Sequence, residues 1–177
     1  MNKEALNNIL CRKSIRTYSN KRISQDTIQI ILEAAMAAPS AINTQPWDFI
    51  VVTEKERLMK VASVLPYARM AASCQAVFVV CGNMNKAIQG EHNSFWIQDC
   101  SAASENLLLA CHALELGAVW TGVYPAEERV EAVKNVLNLP DFIIPLNVIC
   151  VGYPVNEINK KNKTRYKKEN VHMERWK

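Results

Sequence analysis

The chain has 177 residues, of which 49% are apolar and 21% charged, and a net charge of +4. That length and balance suit one globular domain with a core that needs no metal or disulfide staples, and they exclude a disordered chain. No apolar run is long enough for a membrane helix, and the start MNKEALNNIL lacks the basic-then-apolar layout of a secretory signal, so the expected location is the cytoplasm.

In chain order, residues 3–11 place Ala5, Leu6, Ile9 and Leu10 on one helical face. The basic stretch CRKSIRTYSNKR follows. A second helix is predicted to start at a Ser24 N-cap and to run through TIQIILEAAMAA to Pro39, because the residue before a proline is biased away from the helical region. WDFIVVT reads as a strand. Thr53, with Glu56 three residues on, predicts a capping box for the next helix. QAVFVVCG is a short apolar strand of the kind covered on both faces. SFWIQDCSAASENLLLACHALELGA predicts a long helix ended by Gly117, and its small and apolar residues wrap most of its circumference. Such a helix is buried on more than one side, either centrally or at a subunit interface. AVWTGVYP is extended, AEERVEAVKNVLNLP is an amphipathic helix stopped by Pro140, and IPLNVICVGYP is a buried strand. Helices alternate with about four strands, which gives an α/β or α+β class in three layers at most, with no linker or repeat.

The six cysteines have no CxxC spacing and several lie in apolar runs, so they are expected to be reduced, buried small hydrophobes. The three histidines are scattered and offer no metal-ligand pattern. Between 160 and 177 stand eight Lys or Arg against two Glu. A nucleic-acid reading of that tail lacks interleaved aromatics and a recognisable motif; the alternatives are a solvated tail or a phosphate contact.

Four stretches carry candidate chemistry. RKSIR brings Arg12, Lys13, Ser14 and Arg16 together; guanidinium forks, a point charge and a hydroxyl suit phosphate oxygens, although a solvated loop would also accept them. APSAINTQPW holds Pro39, Ser40, Ala41, Asn43 and Gln45. Small residues there let backbone approach a ligand, and two amides can read a heterocycle edge; a plain turn explains Ser40 and Asn43 but not Gln45. WTGVYP has a glycine at a strand end, where backbone can come close to something. KTRY adds Lys163 and Arg165. No dinucleotide, P-loop or nucleophile-elbow motif is present, and Glu127, Glu128 and Glu131 read as a solvated helix face. With no evident nucleophile or base, a bound cofactor is expected to do the chemistry.

Taken together these stretches resemble the nitroreductase family of FMN-dependent oxidoreductases. RKSIRTYSNKRIS is similar to its R-x-S-x-R-x-[FY] signature and APSAINTQPWDFIVV to its A-P-S-x-x-N-x-Q-P-W segment. The long helix with the strand after it, and KTRYKKENVHMERW, resemble its central helix and its C-terminal segment. The likeness runs from about residue 9 to 176. It implies an α+β three-layer sandwich, a central mainly antiparallel sheet flanked by helices, forming one FMN-binding domain over 1–177 in an intertwined homodimer. It implies FMN at the interface, with Arg12, Lys13, Ser14, Arg16, Lys163 and Arg165 toward phosphate and ribityl. Pro39, Ser40, Ala41, Asn43 and Gln45 would come from the partner subunit, and Thr121, Gly122, Val123 and Tyr124 would lie against the ring. NADH or NADPH would reduce the flavin, and a small oxidised acceptor such as a nitroaromatic or quinone would reoxidise it by a ping-pong mechanism. Tyr67, Met70 and Tyr124 are pocket candidates, and no side chain is expected to act as nucleophile. Lys13 departs from the usual Arg and loses its bidentate fork. The long insertion of larger relatives is missing, which leaves an open pocket. Alternatives are a flavin-fragmenting or dehalogenating enzyme on the same scaffold, or a non-catalytic FMN-binding protein.

Overall fold

Alternation of apolar side chains builds a sheet whose two faces each carry a core. Strands β1 (Trp47–Val52), β2 (Ala76–Asn83), β3 (Gly117–Gly122) and β4 (Ile143–Gly152) are linked by helices α1 (Glu4–Cys11), α2 (Gln25–Met36), α3 (Lys55–Val64), α4 (Phe95–Ala113) and α5 (Glu127–Leu137). The molecule is described by a computed structural model over residues 3–156 and 165–176. The strands lie in the order β1-β2-β4-β3, every neighbouring pair antiparallel. All of β2 and nearly all of β4 is buried, as their largely apolar runs require. Phe78, Val80, Ile149 and Val151 point to the core under α2 and α4, through Ile31, Ala35, Cys100 and Leu107. Val77, Val79, Val148 and Cys150 point to the core under α3 and α5, through Leu58, Val61 and Val133. This is a three-layer α+β sandwich. All six cysteines are buried, and none is joined in a disulfide.

Ser24 caps α2 as its sequence predicts, its Oγ accepting the Thr27 N–H at 3.1 Å. Two helix ends differ from the local signals. The capping box at Thr53 does not form: Glu54 is the N-cap of α3, without a side-chain cap bond, and its carboxylate is taken by Arg57 at 2.8 Å. At the end of α4 the left-handed residue is Glu115 (φ 59°), not Gly117, which instead opens β3. Gly117 pairs across the sheet with Gly152. A Cβ on Gly117 would lie 2.6 Å from Ile15 Cγ2, and one on Gly152 would lie 2.9 Å from the Tyr18 ring. The two bare positions form a notch that seats the N-terminal arm, so Gly117 is needed for packing rather than for stopping the helix. Among the described residues no helix is long and apolar enough to cross a membrane.

Candidate active site

The basic RKSIR segment is laid along the sheet by that notch. The Ile15 N–H donates to Ala118 O at 3.0 Å, and Ser14 bridges Ala118 in parallel register. Tyr18 locks the far end: its hydroxyl donates to Ile15 O (2.6 Å) or Cys150 O (3.1 Å), and the Ser19 N–H reaches Tyr153 O at 2.7 Å. Burial, first, and the neighbouring Cys150 push the Tyr18 phenol well above its ordinary value, so it remains a donor. The arm therefore has a defined course, with Arg12 and Lys13 half-buried and Ser14 and Arg16 exposed. Arg12 Nε stands 3.4 Å from Glu105 Oε1 on α4. A guanidinium has five N–H donors, so this pairing leaves capacity for an anion.

The AINTQ loop is a short 3-10 turn, Ala41–Asn43, with an uncommon backbone. Ile42, Asn43 and Gln45 all have left-handed φ values (43°, 59° and 47°). Asn tolerates this conformation; a β-branched isoleucine does so at a cost. Hydrogen bonds hold it: the Gln45 N–H donates to Ser40 Oγ (2.9 Å), Asn43 N–H to Ser40 O (3.0 Å) and Thr44 Oγ1 to Ala41 O (3.1 Å). The Ala41 N–H donates to Asp99 Oδ1 of α4 at 2.9 Å. Gln45 Nε2 touches Asn43 Oδ1 at 3.2 Å, and both side chains project into solvent. Ile42 is 85% exposed.

The third stretch ends β3. Gly122 pairs with Asn147 of β4, and both the Val123 and Tyr124 N–H groups converge on Leu146 O at 3.1 Å. Thr121 and Val123 are buried, whereas Gly122 is exposed and a Cβ there would meet nothing within 4 Å. Its backbone is thus open to a flat ligand. Tyr124 packs edge-on against Trp96, ring centroids 5.0 Å apart. Asn147 is fully buried, and its Nδ2 donates to Ser104 Oγ of α4 at 2.7 Å.

Helix α4 is the common strut. Asp99 holds the loop, Ser104 holds the strand end through Asn147, and Glu105 meets Arg12. These three positions span six residues, about 9 Å along a helix. Sequence reasoning missed Asp99, Ser104 and Asn147. Asp99 is the only acid in the first two turns of α4, and its position among apolar neighbours was the available signal. Of the pocket candidates, Tyr67 is exposed beneath the Arg129 guanidinium (5.2 Å to the ring centroid), and Arg129 Nη1 reaches Gly122 O at 3.4 Å. Met70 packs on the α3–α5 core instead. Pro39 is exposed and ends α2's extension. Arg165 is exposed, and Lys163 lies outside the described residues. Among the described residues, no three His, Cys, Asp or Glu side chains converge to hold a metal ion.

The chain matches the family model described as Nitroreductase family over residues 9–69 and 57–153. It belongs to the nitroreductase family. A Methanothermobacter thermautotrophicus protein named "Putative NADH dehydrogenase/NAD(P)H nitroreductase" is 42% identical over 98% of this chain and 88% of its own. The crystal structure of a protein of the same name from Parabacteroides distasonis superposes with a TM-score of 0.90 at 44% identity, covering 98% of this chain and 99% of that one. A Desulfovibrio desulfuricans structure described as a "putative nitroreductase in complex with fmn" gives a TM-score of 0.80 at 27% identity, over 99% and 98% of the two chains. The matched residues include all three stretches that α4 gathers.

Proposed function

We propose that this chain is an NAD(P)H-dependent FMN oxidoreductase, a single cytoplasmic domain that works as a homodimer. The observation that carries the reading is the 40–45 loop: strained, tethered to α4, and presenting two amides outward. Strain of this kind persists where surrounding structure over-determines it, and it gathers at ligand sites. The residues fit the cofactor. Cations of the arm suit its phosphate, and the bare backbone of Gly122 suits a planar ring. The FMN complex of the Desulfovibrio relative and the NAD(P)H named for the Methanothermobacter one support the choice of cofactor and reductant.

When bound, FMN would supply the redox chemistry, the exchange of electrons between NADH or NADPH and a small oxidised acceptor such as a nitroaromatic or quinone. The chain's own work is to bind and orient. Arg12, Lys13 and Arg16, with Arg165 and Lys163, neutralise the phosphate, and Ser14 donates to the ribityl chain. Ser40, Ala41, Asn43 and Gln45, behind Pro39, cross from the partner subunit to line the cofactor's polar edge. Thr121, Gly122, Val123 and Tyr124 bring backbone against the ring. Tyr67 and Tyr124 border an open substrate pocket that reductant and acceptor occupy in turn, which gives ping-pong kinetics. The exposed apolar face of α1, with Leu6, Ile9 and Leu10 each more than half exposed, supports a subunit contact.

The test is the visible spectrum of the purified protein before and after anaerobic addition of NADH or NADPH. A yellow protein bleached by one of them, and recoloured by a quinone, is the expected result; a protein that takes up no FMN overturns the reading. Arg12→Ala and Arg165→Ala are each expected to weaken FMN binding by about 1.5–3 kcal/mol. Full flavin content in both would remove the phosphate assignment.

A further inference from the structure

The loop that meets the proposed flavin has internal hydrogen bonds but, among the described residues, a single tie to the rest of the chain. Its only described bond to another element is the one from the Ala41 N–H to Asp99 Oδ1, 58 residues away in sequence. Ala41 is the first residue of the turn, and the three left-handed residues follow within four positions. Asp99 is 6% exposed, on the face of α4 that also buries Trp96, Cys100 and Ala103. An acceptor anchored there sets where the turn begins. Because the Ala41 N–H is committed to Asp99, it is not available to a ligand, and Ala41 can meet one only through its other atoms.

The second carboxylate oxygen is unusual. Asp99 Oδ2 is buried and has no hydrogen-bond donor among the described residues. A carboxylate accepts and never donates, so this oxygen needs an N–H or O–H from elsewhere. Buried acceptors are nearly always satisfied, and one that is not points to a missing component. The loop that Asp99 holds is the one that meets cofactor and partner subunit in the reading above, on which this step rests.

We propose that Asp99 is the positioning residue of the flavin loop, with Oδ1 anchoring Ala41 in all states and the enclosed Oδ2 receiving a donor as the chain around it repacks when the flavin-loaded dimer assembles. Asp99→Asn tests it sharply. The amide oxygen retains the Ala41 bond, but the amide nitrogen replaces an acceptor with a donor. The flavin-free variant is expected to melt at or above the wild-type temperature, because a half-satisfied buried charge is gone. FMN affinity, read by quenching of flavin fluorescence, is expected to fall at least about tenfold, the loss of one charge-assisted bond. At saturating FMN the visible absorption and circular dichroism bands of the bound flavin are expected to shift. Ala41→Pro removes the donor from the other side, and the preceding Ser40 is extended (φ −140°, ψ 156°), as the residue before a proline prefers. It is expected to weaken FMN similarly, and it keeps the test decisive should Asp99→Asn fail to fold.

Either variant binding FMN within twofold of wild type overturns the inference. So does an affinity loss in Asp99→Asn that only follows a lower melting temperature, with unchanged flavin bands at saturation, since that is a structural role alone. A wild-type chain that binds no FMN sinks the flavin reading itself, whereas a binding wild type matched by its variants sinks this inference alone.

Discussion

The inner strands β2 and β4 and the 40–45 loop solve opposite problems. In the strands, backbone is extended, paired on both sides and largely covered by apolar side chains, and local preference agrees with the fold except around one register shift, where Val80 pairs with Asn147 and Cys81 with Pro145. In the loop, three of four consecutive residues from 42 to 45 are left-handed, side chains face water, and order depends on Ser40 and on an acid from another element. Stability is concentrated in the first region, and an uncommon backbone is imposed in the second. A protein rarely does both in one place, because a site needs polar groups left open and a core needs them closed.

The comparison can be broken most forcefully with alkali. Burial pushes the thiols of Cys100 and Cys111 up to about 12, and that of Cys81 further still. A group whose pKa is raised by folding stabilises the native state below its unfolded value and loses that contribution as the pH rises toward the folded one. Stability should therefore fall from about pH 9 toward pH 12, by about 1.4 kcal/mol per thiol per pH unit. Urea unfolding across that range checks it, and a flat profile would deny the strands and α4 their dry interior. Phe78→Ala comes next. Phe78 is fully buried on β2, and its truncation should cost about 3–5 kcal/mol of unfolding free energy. A loss below 1 kcal/mol would mean the sheet is less tightly packed than the loop comparison requires.

Gly117→Ala probes the join between core and site. The new methyl would meet Ile15, so stability should drop by about 1–3 kcal/mol. FMN affinity should drop with it, since Ile15 carries Ser14 and Arg16 as its neighbours. If FMN binding survives while stability falls, the notch seats the arm without shaping the site. Ile42→Gly has the smallest effect. It relieves a left-handed β-branched residue that is largely in solvent, and the gain should be about 0.5–1 kcal/mol after the extra freedom of the unfolded glycine. A melting temperature that falls instead would show Ile42 packed by a partner and the loop less strained than its dihedrals indicate.

The stretches of the proposed site were legible because their chemistry is local. Arg12, Lys13 and Arg16 stand out as clustered cations, and Asn43 and Gln45 as amides that a turn does not need. Gly117 was misread because a helix stop and a packing notch call for the same residue, and only Ile15 across the gap distinguishes them. The cap at Thr53 was misplaced by one residue because Glu54 was already engaged by Arg57. Asp99 escaped notice because one acid in an apolar helix has no periodicity of its own; its meaning comes from an N–H 58 residues earlier.

What the amino-acid order determined by itself were the helices, the four strands and the alternation that sends Phe78 to one face and Val79 to the other, since these follow from side chains a few residues apart. The order β1-β2-β4-β3, the notch that seats the arm, and the convergence of loop, strand end and cations on α4 were decided only by tertiary structure. They depend on which distant backbones find their hydrogen-bond partners, and no local pattern encodes that choice.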